Sequence, residues 1–164
     1  AGRNPRIIKS LFLDPVGLEK NSWMLQDKYR QMAREEIRFE KYRVSDKNQV
    51  LIISYGTMAR ICQTAIDELA DEGISVGLLR PITLFPLCEE QIYNEVAKKN
   101  IKAALVVEMS TAQMYEDVVR SVVGKKKVHF YGRTGGIVPS PEEVKEQIHQ
   151  IVGTKKTTTR KKKA

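Results

Sequence analysis

The 164-residue sequence predicts an α/β protein: a three-layer arrangement in which a mostly parallel sheet carries helices on both faces, preceded by a long helix. Three observations predict it. A polar stretch with an apolar residue every seven positions opens the chain. Beyond it, short apolar runs alternate with amphipathic segments. The composition, 41% hydrophobic and 29% charged, is that of a globular domain rather than a disordered or fibrous one. Strands and helices alternating at this spacing imply parallel pairing through right-handed crossovers.

The elements follow in order. Asp14-Pro15 supplies a capping carboxylate and a proline at the first helical position. From there Leu18, Leu25, Met32 and Phe39 recur every seven residues with Tyr29 on the same stripe, predicting a helix of about 25 residues and about 38 Å. A helix that long outreaches a small domain, so Leu25, Met32 and Phe39 are expected to bury against this domain or a neighbouring chain. Ser22 and Glu36 interrupt the seam and argue against a coiled coil. After the polar break at Ser45 to Gln49, Val50 to Ser54 is an apolar run of the kind found in a strand covered on both faces. Met58, Ile61, Cys62, Ala65, Ile66 and Leu69 keep helical spacing, and the helix ends near Gly73. Further strands are predicted at Ile74 to Leu79, Ala104 to Val107 and Val128 to Tyr131. Helices are predicted around Ile92 and Val96, from about Thr111 to Val123, and from Pro141 with Val144, Ile148 and Ile151 on one face. The resulting organisation is an N-terminal extension and linker helix at 1–45, an α/β domain at 46–152 and a disordered basic tail at 153–164.

The net charge of +8 is mostly a property of that tail. Thr154 to Ala164 holds six lysines and arginines and no acid, leaving 22 bases against 20 acids elsewhere. A tail of this kind attracts nucleic acid or acidic surfaces nonspecifically. Its low-complexity Thr/Lys composition also suits a solvated terminus that buries nothing. No zinc-finger spacing or RNA-binding aromatic motif accompanies it, so nucleic acid is not the expected partner. No apolar run approaches a membrane span and no signal-peptide stretch is visible, so a cytoplasmic protein is expected. The two cysteines, Cys62 and Cys88, are too few for a disulfide framework, a four-cysteine zinc site or an iron–sulfur cluster within this chain.

In open parallel sheets, ligands and partners gather beyond the carboxyl ends of the strands. Tyr55, Gly56 and Thr57, then Arg80, then Glu108, Ser110 and Gln113, then Arg133, Gly135 and Gly136 should emerge there as an interface or anion site. Thr57 and Thr111 are positioned to cap helices whose free amides hold anions, and Arg80 and Arg133 suit bidentate recognition of a carboxylate or phosphate. A plainer reading, which we prefer, pairs Arg80 with Glu108 and leaves the glycines to permit positive φ. Cys62 falls on an apolar helix face and reads as core. Cys88 stands near a helix start, where a thiol pKa can fall, but no histidine is near it in sequence. His129 and His149 have no metal-ligand spacing, and Met109 and Met114 read as packing groups near an interface. There is no phosphate loop, nucleophile elbow or dinucleotide fingerprint. No catalytic, cofactor-binding or metal residue is assigned.

Four strings in order, VLIISYGTMARICQTAIDEL, GISVGLLRPITLFP, LVVEMSTAQMYEDV and VHFYGRTGGIVPSPEEV, resemble the second domain of the α subunit of 2-oxoacid:ferredoxin oxidoreductases. That domain is of the transketolase C-terminal type, and the resemblance is closest to the 2-oxoisovalerate (3-methyl-2-oxobutanoate) branch. The upstream LFLDPVGLEKNSWMLQDKYRQM resembles the helical connection that precedes it, so the likeness runs from about Ile8 to Val152. RPITLFP and FYGRTGG are the more specific strings; Tyr-Gly-Thr and Glu-Met are shared more widely. Where the family carries Glu-Met-Asn-x-Gly-Gln-Met, this chain has Ser110 and Ala112 with Gln113 retained. Loss of the glycine argues against a close backbone approach at that turn.

The resemblance implies an enzyme that decarboxylates a branched 2-oxoacid on thiamine diphosphate with Mg, passes electrons through iron–sulfur clusters to ferredoxin and forms an acyl-coenzyme A. It also implies that those groups lie elsewhere: in the α subunit's first domain, a thiamine-binding β subunit and other subunits. This chain is then expected to be an assembly domain, inactive alone, with a homo-oligomer as a further option. Its opening on Ala1 rather than Met fits a piece of a larger subunit. The competing reading is a stand-alone adaptor whose α/β domain binds an anion or nucleic acid with help from the tail.

Overall fold

Three apolar runs buried on both faces must find backbone partners away from water, and they lie side by side with a fourth, less buried strand at one edge. In the computed structural model, which describes residues 2, 5 and 11–153, they are β2 (Val50–Ser54), β3 (Val76–Pro81), β4 (Ala103–Glu108) and β5 (Lys127–Gly132). β2 pairs in parallel with β3 and with β4, and β4 with β5. A fifth strand, β1 (Phe39–Tyr42), adds antiparallel to β3, giving the order β1-β3-β2-β4-β5. Every residue of β2 and β4 is buried.

The connecting helices alternate between faces. α2 (Gly56–Asp71) and α5 (Pro141–Val152) enclose a core containing Val50, Ile52, Cys62, Leu69, Leu105 and Ile148. α3 (Glu89–Val96) and α4 (Gln113–Val122) cover the other face over Leu51, Ile53, Cys88, Ile92, Val106 and Val118. The expected three-layer, mostly parallel architecture is present.

The opening helix differs from expectation. α1 runs from Pro15 to Glu35, with the Asp14 carboxylate accepting the Gly17 N–H at 2.8 Å, and it buries none of its residues. Leu25 stays exposed and Met32 only half-buried. Phe39 is not on this helix but begins β1, where it packs on the α3/α4 side of the sheet. The apolar stripe therefore ends at Met32, and the extension expected to reach residue 45 yields Phe39–Tyr42 to the sheet. The physical reason is tertiary: Phe39 lies opposite Pro81 and Glu40 opposite Arg80, a pairing invisible in local periodicity. The same pairing carries β3 beyond Leu79, so Arg80 lies within a strand rather than after it. The expected basic tail falls outside the described residues.

Candidate functional site

Because β2 to β5 run parallel, their carboxyl ends share one edge, and the sequence-predicted residues do gather there. Their charged side chains already have partners within this chain. Glu108, fully buried at the end of β4, accepts the backbone N–H of Met114 at 3.1 Å and of Tyr115 at 3.2 Å, and the Ser110 hydroxyl donates to it at 2.7 Å. Thr111 is therefore not the cap of α4; the carboxylate has taken the amides where an anion would sit. Ala112, the residue before α4, is in the left-handed region at φ 76°.

At the neighbouring strand end, Tyr55 in extended backbone precedes α2, Gly56 opens the helix at φ 57°, and Thr57 lies inside the first turn without capping it. Thr57 fails as a cap because the helix begins two residues earlier than a Thr57 cap would set it, with Tyr55 before its first residue. Arg80 pairs with Glu40 at 3.0 Å, not with Glu108. β2 stands between β3 and β4, whereas Glu40 is directly opposite on β1. Arg133 pairs with Glu143 at 3.1 Å. That glutamate also accepts the Ser140 N–H at 2.7 Å in the capping box of α5. Gly135 and Gly136, both at positive φ, turn the chain between β5 and α5. Gly132 is needed for space: a Cβ there would meet the Phe130 ring and come within 2.8 Å of the Ser110 carbonyl oxygen. Both arginines and the α4 amides thus have carboxylate partners from this chain, which disfavours an anion site.

What the edge offers instead is apolar. Ile82, Leu84 and Phe85 after β3, Met109 after β4, and Ile137 and Val138 after β5 are all exposed. Phe85, at 65%, is the most exposed of them. Gln113 borders a cavity of about 230 Å³ with Tyr55, Leu84 and Met114. Leu84 and Leu87 also line an adjoining groove of about 630 Å³ that opens toward α1. There the Tyr29 ring meets the Phe85 ring edge-on with centroids 5.6 Å apart. Ile82, Leu84 and Phe85 were not among the residues singled out from sequence; the signal was an apolar triplet class in a proline-bounded loop.

The cysteines do not suit a cluster. Cys62 and Cys88 lie in cores on opposite faces of the sheet. Burial pushes the Cys62 thiol up to about 12 and the Cys88 thiol up to about 11, so the helix start does not activate Cys88. Among the described residues no group of His, Cys, Asp and Glu could hold a metal ion, and no helix is long and apolar enough to cross a membrane.

Residues 48–144 match the family model for pyruvate:ferredoxin oxidoreductase core domain II. The chain belongs to that family. It is 37% identical over 147 residues to the ketoisovalerate oxidoreductase subunit VorB of Methanothermobacter thermautotrophicus, covering 90% of this chain and 41% of that subunit. It is 31% identical over 142 residues to the 2-oxoglutarate synthase subunit KorA of Methanothermobacter marburgensis, covering 87% of this chain and 36% of that one. The chain thus spans less than half the length of these curated relatives. In fold it is similar to a 2-oxoglutarate:ferredoxin oxidoreductase from Magnetococcus marinus, with a TM-score of 0.71 at 20% identity over 86% of this chain and 24% of that one. The strand-end edge described above is therefore an edge of a core domain II.

Proposed function

We propose that this chain is the assembly domain of the α subunit of a cytoplasmic, multisubunit 2-oxoacid:ferredoxin oxidoreductase acting on a branched 2-oxoacid. The whole enzyme would carry out oxidative decarboxylation to an acyl-coenzyme A with reduction of ferredoxin. Thiamine diphosphate, Mg and iron–sulfur clusters would be held by the subunit's first domain, a thiamine-binding β subunit and other subunits. This domain's own task is to dock. The observation that carries the reading is the apolar rim of Ile82, Leu84, Phe85, Met109, Ile137 and Val138 on one sheet edge, beside which Arg80 and Arg133 already pair with carboxylates of this chain. A stable interface needs roughly 1,000 Å² or more of buried area, and the exposed face of α1 adjoins the rim as further docking surface. The branched substrate rests on the 37% identity to a ketoisovalerate oxidoreductase subunit.

The test combines calorimetry with reconstitution. The chain alone should neither bind thiamine diphosphate with Mg nor reduce a viologen dye with 2-oxoisovalerate. Activity should appear when the remaining α-subunit sequence and the partner subunits are supplied. Phe85→Asp with Ile137→Asp should then prevent co-purification while leaving the domain folded. Cofactor binding or turnover by the isolated chain would refute the proposal, as would assembly that tolerates both charges.

A further inference from the structure

β5 is an edge of the sheet, and no described element covers its outer side. The Arg133 amide donates to the Glu108 carbonyl oxygen at 3.4 Å, continuing the parallel ladder beyond Gly132. In such a ladder the N–H and C=O of one residue point to the same side and alternate along the strand. Odd-numbered residues of β5 therefore bond to β4, and Val128, Phe130 and Gly132 turn their backbone groups outward. Among the described residues nothing bonds to those outward groups. Natural edges are blunted by proline, bulges, central charges or a covering segment. Among the described residues the outward segment has none of these, and Lys127 stands at its end.

The surroundings of the edge are apolar. Phe130 is exposed on the α4 face beside the edge and meets Tyr115 of α4 with centroids 5.5 Å apart. Val119 and Val123 follow Tyr115 at helical spacing; both are exposed, and Val123, at 73%, holds the left-handed conformation at φ 51°. The ends of the edge carry opposite charge. Lys125, Lys126 and Lys127 have no ion pair among the described residues, while Glu142 and Glu143 begin α5 at the other end, with Arg133 neutralised by Glu143.

We propose that a second copy of this chain pairs on β5 in antiparallel fashion, about a two-fold axis through Phe130, extending the sheet across the interface. That axis sets Phe130 opposite Phe130 of the second copy and Val128 opposite Gly132. All three outward residues of each copy, Val128, Phe130 and Gly132, then exchange backbone bonds in register, with side chains on the α4 face. It brings each lysine end to the other copy's α5 start, a self-complementary match of the kind a two-fold interface requires. The surface is separate from the strand-end rim, so this inference does not rest on the proposed function.

Sedimentation of the full chain from micromolar to submillimolar concentration tests it, and the expected mass is that of two chains. Val128→Pro removes an outward N–H and no bond to β4, at the cost of some Val128 packing on the core, and should return the chain to a monomer with an unchanged circular dichroism spectrum. Phe130→Cys should form an intermolecular disulfide on mild oxidation, because facing hydrogen-bonded positions sit about 5.5 Å apart; Cys62 and Cys88 are buried and do not compete. A chain that stays monomeric overturns the inference. So does a dimer that gives no disulfide through Phe130→Cys, whether or not Val128→Pro folds.

Discussion

The Glu108 carboxylate accepts the Met114 backbone N–H at 3.1 Å, so the end of β4 caps the start of α4. The residue before the helix, Ala112, has no side chain able to do this. One buried carboxylate thereby joins strand, turn and helix, and it fixes where the turn carrying Met109 emerges on the strand-end edge. Removing its charge should cost more than an ordinary surface change. For Glu108→Gln, which keeps the shape but sets an amide among N–H donors, the expected loss is about 2 kcal/mol, in the range for hydrogen bonds to charged groups. A urea midpoint that falls with an unchanged slope would show it. A midpoint equal to that of the parent would refute the capping role.

The same turn holds a non-glycine residue in a conformation that suits glycine. Ala112 sits at φ 76°, a region that costs an L-residue about 1–2 kcal/mol. Ala112→Gly removes that strain, while the freer unfolded chain takes back about 0.4–1 kcal/mol. A net gain of roughly 0.5 kcal/mol is expected, read as a higher thermal midpoint. A lower midpoint would mean the Ala112 methyl contributes packing that outweighs the strain.

These two residues also mark what is legible in the sequence. The parallel strands show themselves because a strand covered on both faces is apolar throughout, as in VLIIS. The amphipathic helices show themselves through their 3.6-residue period. β1 does not, because Phe39-Glu40-Lys41-Tyr42 is short and charged, and Phe39 also continues the seven-residue spacing of α1. Its strand conformation comes from pairing with β3. The Glu108 cap is hidden for a related reason: acceptor and donor are six residues apart across a turn, outside any local capping pattern. Apart from Met109, the apolar rim is missed because local pattern does not tell whether an apolar residue in a loop is covered, and only the fold shows Leu84 and Phe85 uncovered.

Acid should loosen the hold of α3 on the sheet edge. Burial pushes the Glu95 carboxyl up, but hydrogen bonds from the Lys41 and Lys98 ammonium groups, at 2.7 and 2.9 Å, outweigh it and hold the group below its ordinary value of 4.5. A carboxyl depressed on folding contributes stability that is present above its unfolded value and lost as pH falls through the folded one. Glu72, Glu142 and Glu143 are depressed as well and act in the same direction. Stability should therefore decline as pH falls below about 4.5. Glu95→Gln should flatten that decline, since it removes one of the linked protons. Chemical denaturation of both proteins from neutral pH downward makes the comparison, and an identical pH slope in the variant would rule out the linkage.

The long helix should respond to a single aromatic contact. α1 buries none of its 21 residues, whereas most helical stability in proteins comes from tertiary packing of an amphipathic face. The edge-on contact of Tyr29 with Phe85 joins its middle to the loop after β3. Such a pair is worth about 0.5–1.5 kcal/mol, which is small against a whole domain but large for a helix with little else to lean on. Phe85→Ala should therefore speed amide hydrogen exchange along α1 and leave exchange in β2 and β4 unchanged, because neither strand depends on that ring. Tyr29→Ala should do the same, and the two changes together should do little more than either alone, since each removes the same contact. Unchanged exchange in α1 for both variants would mean that the helix is held by its other contacts along the groove, with the aromatic pair incidental.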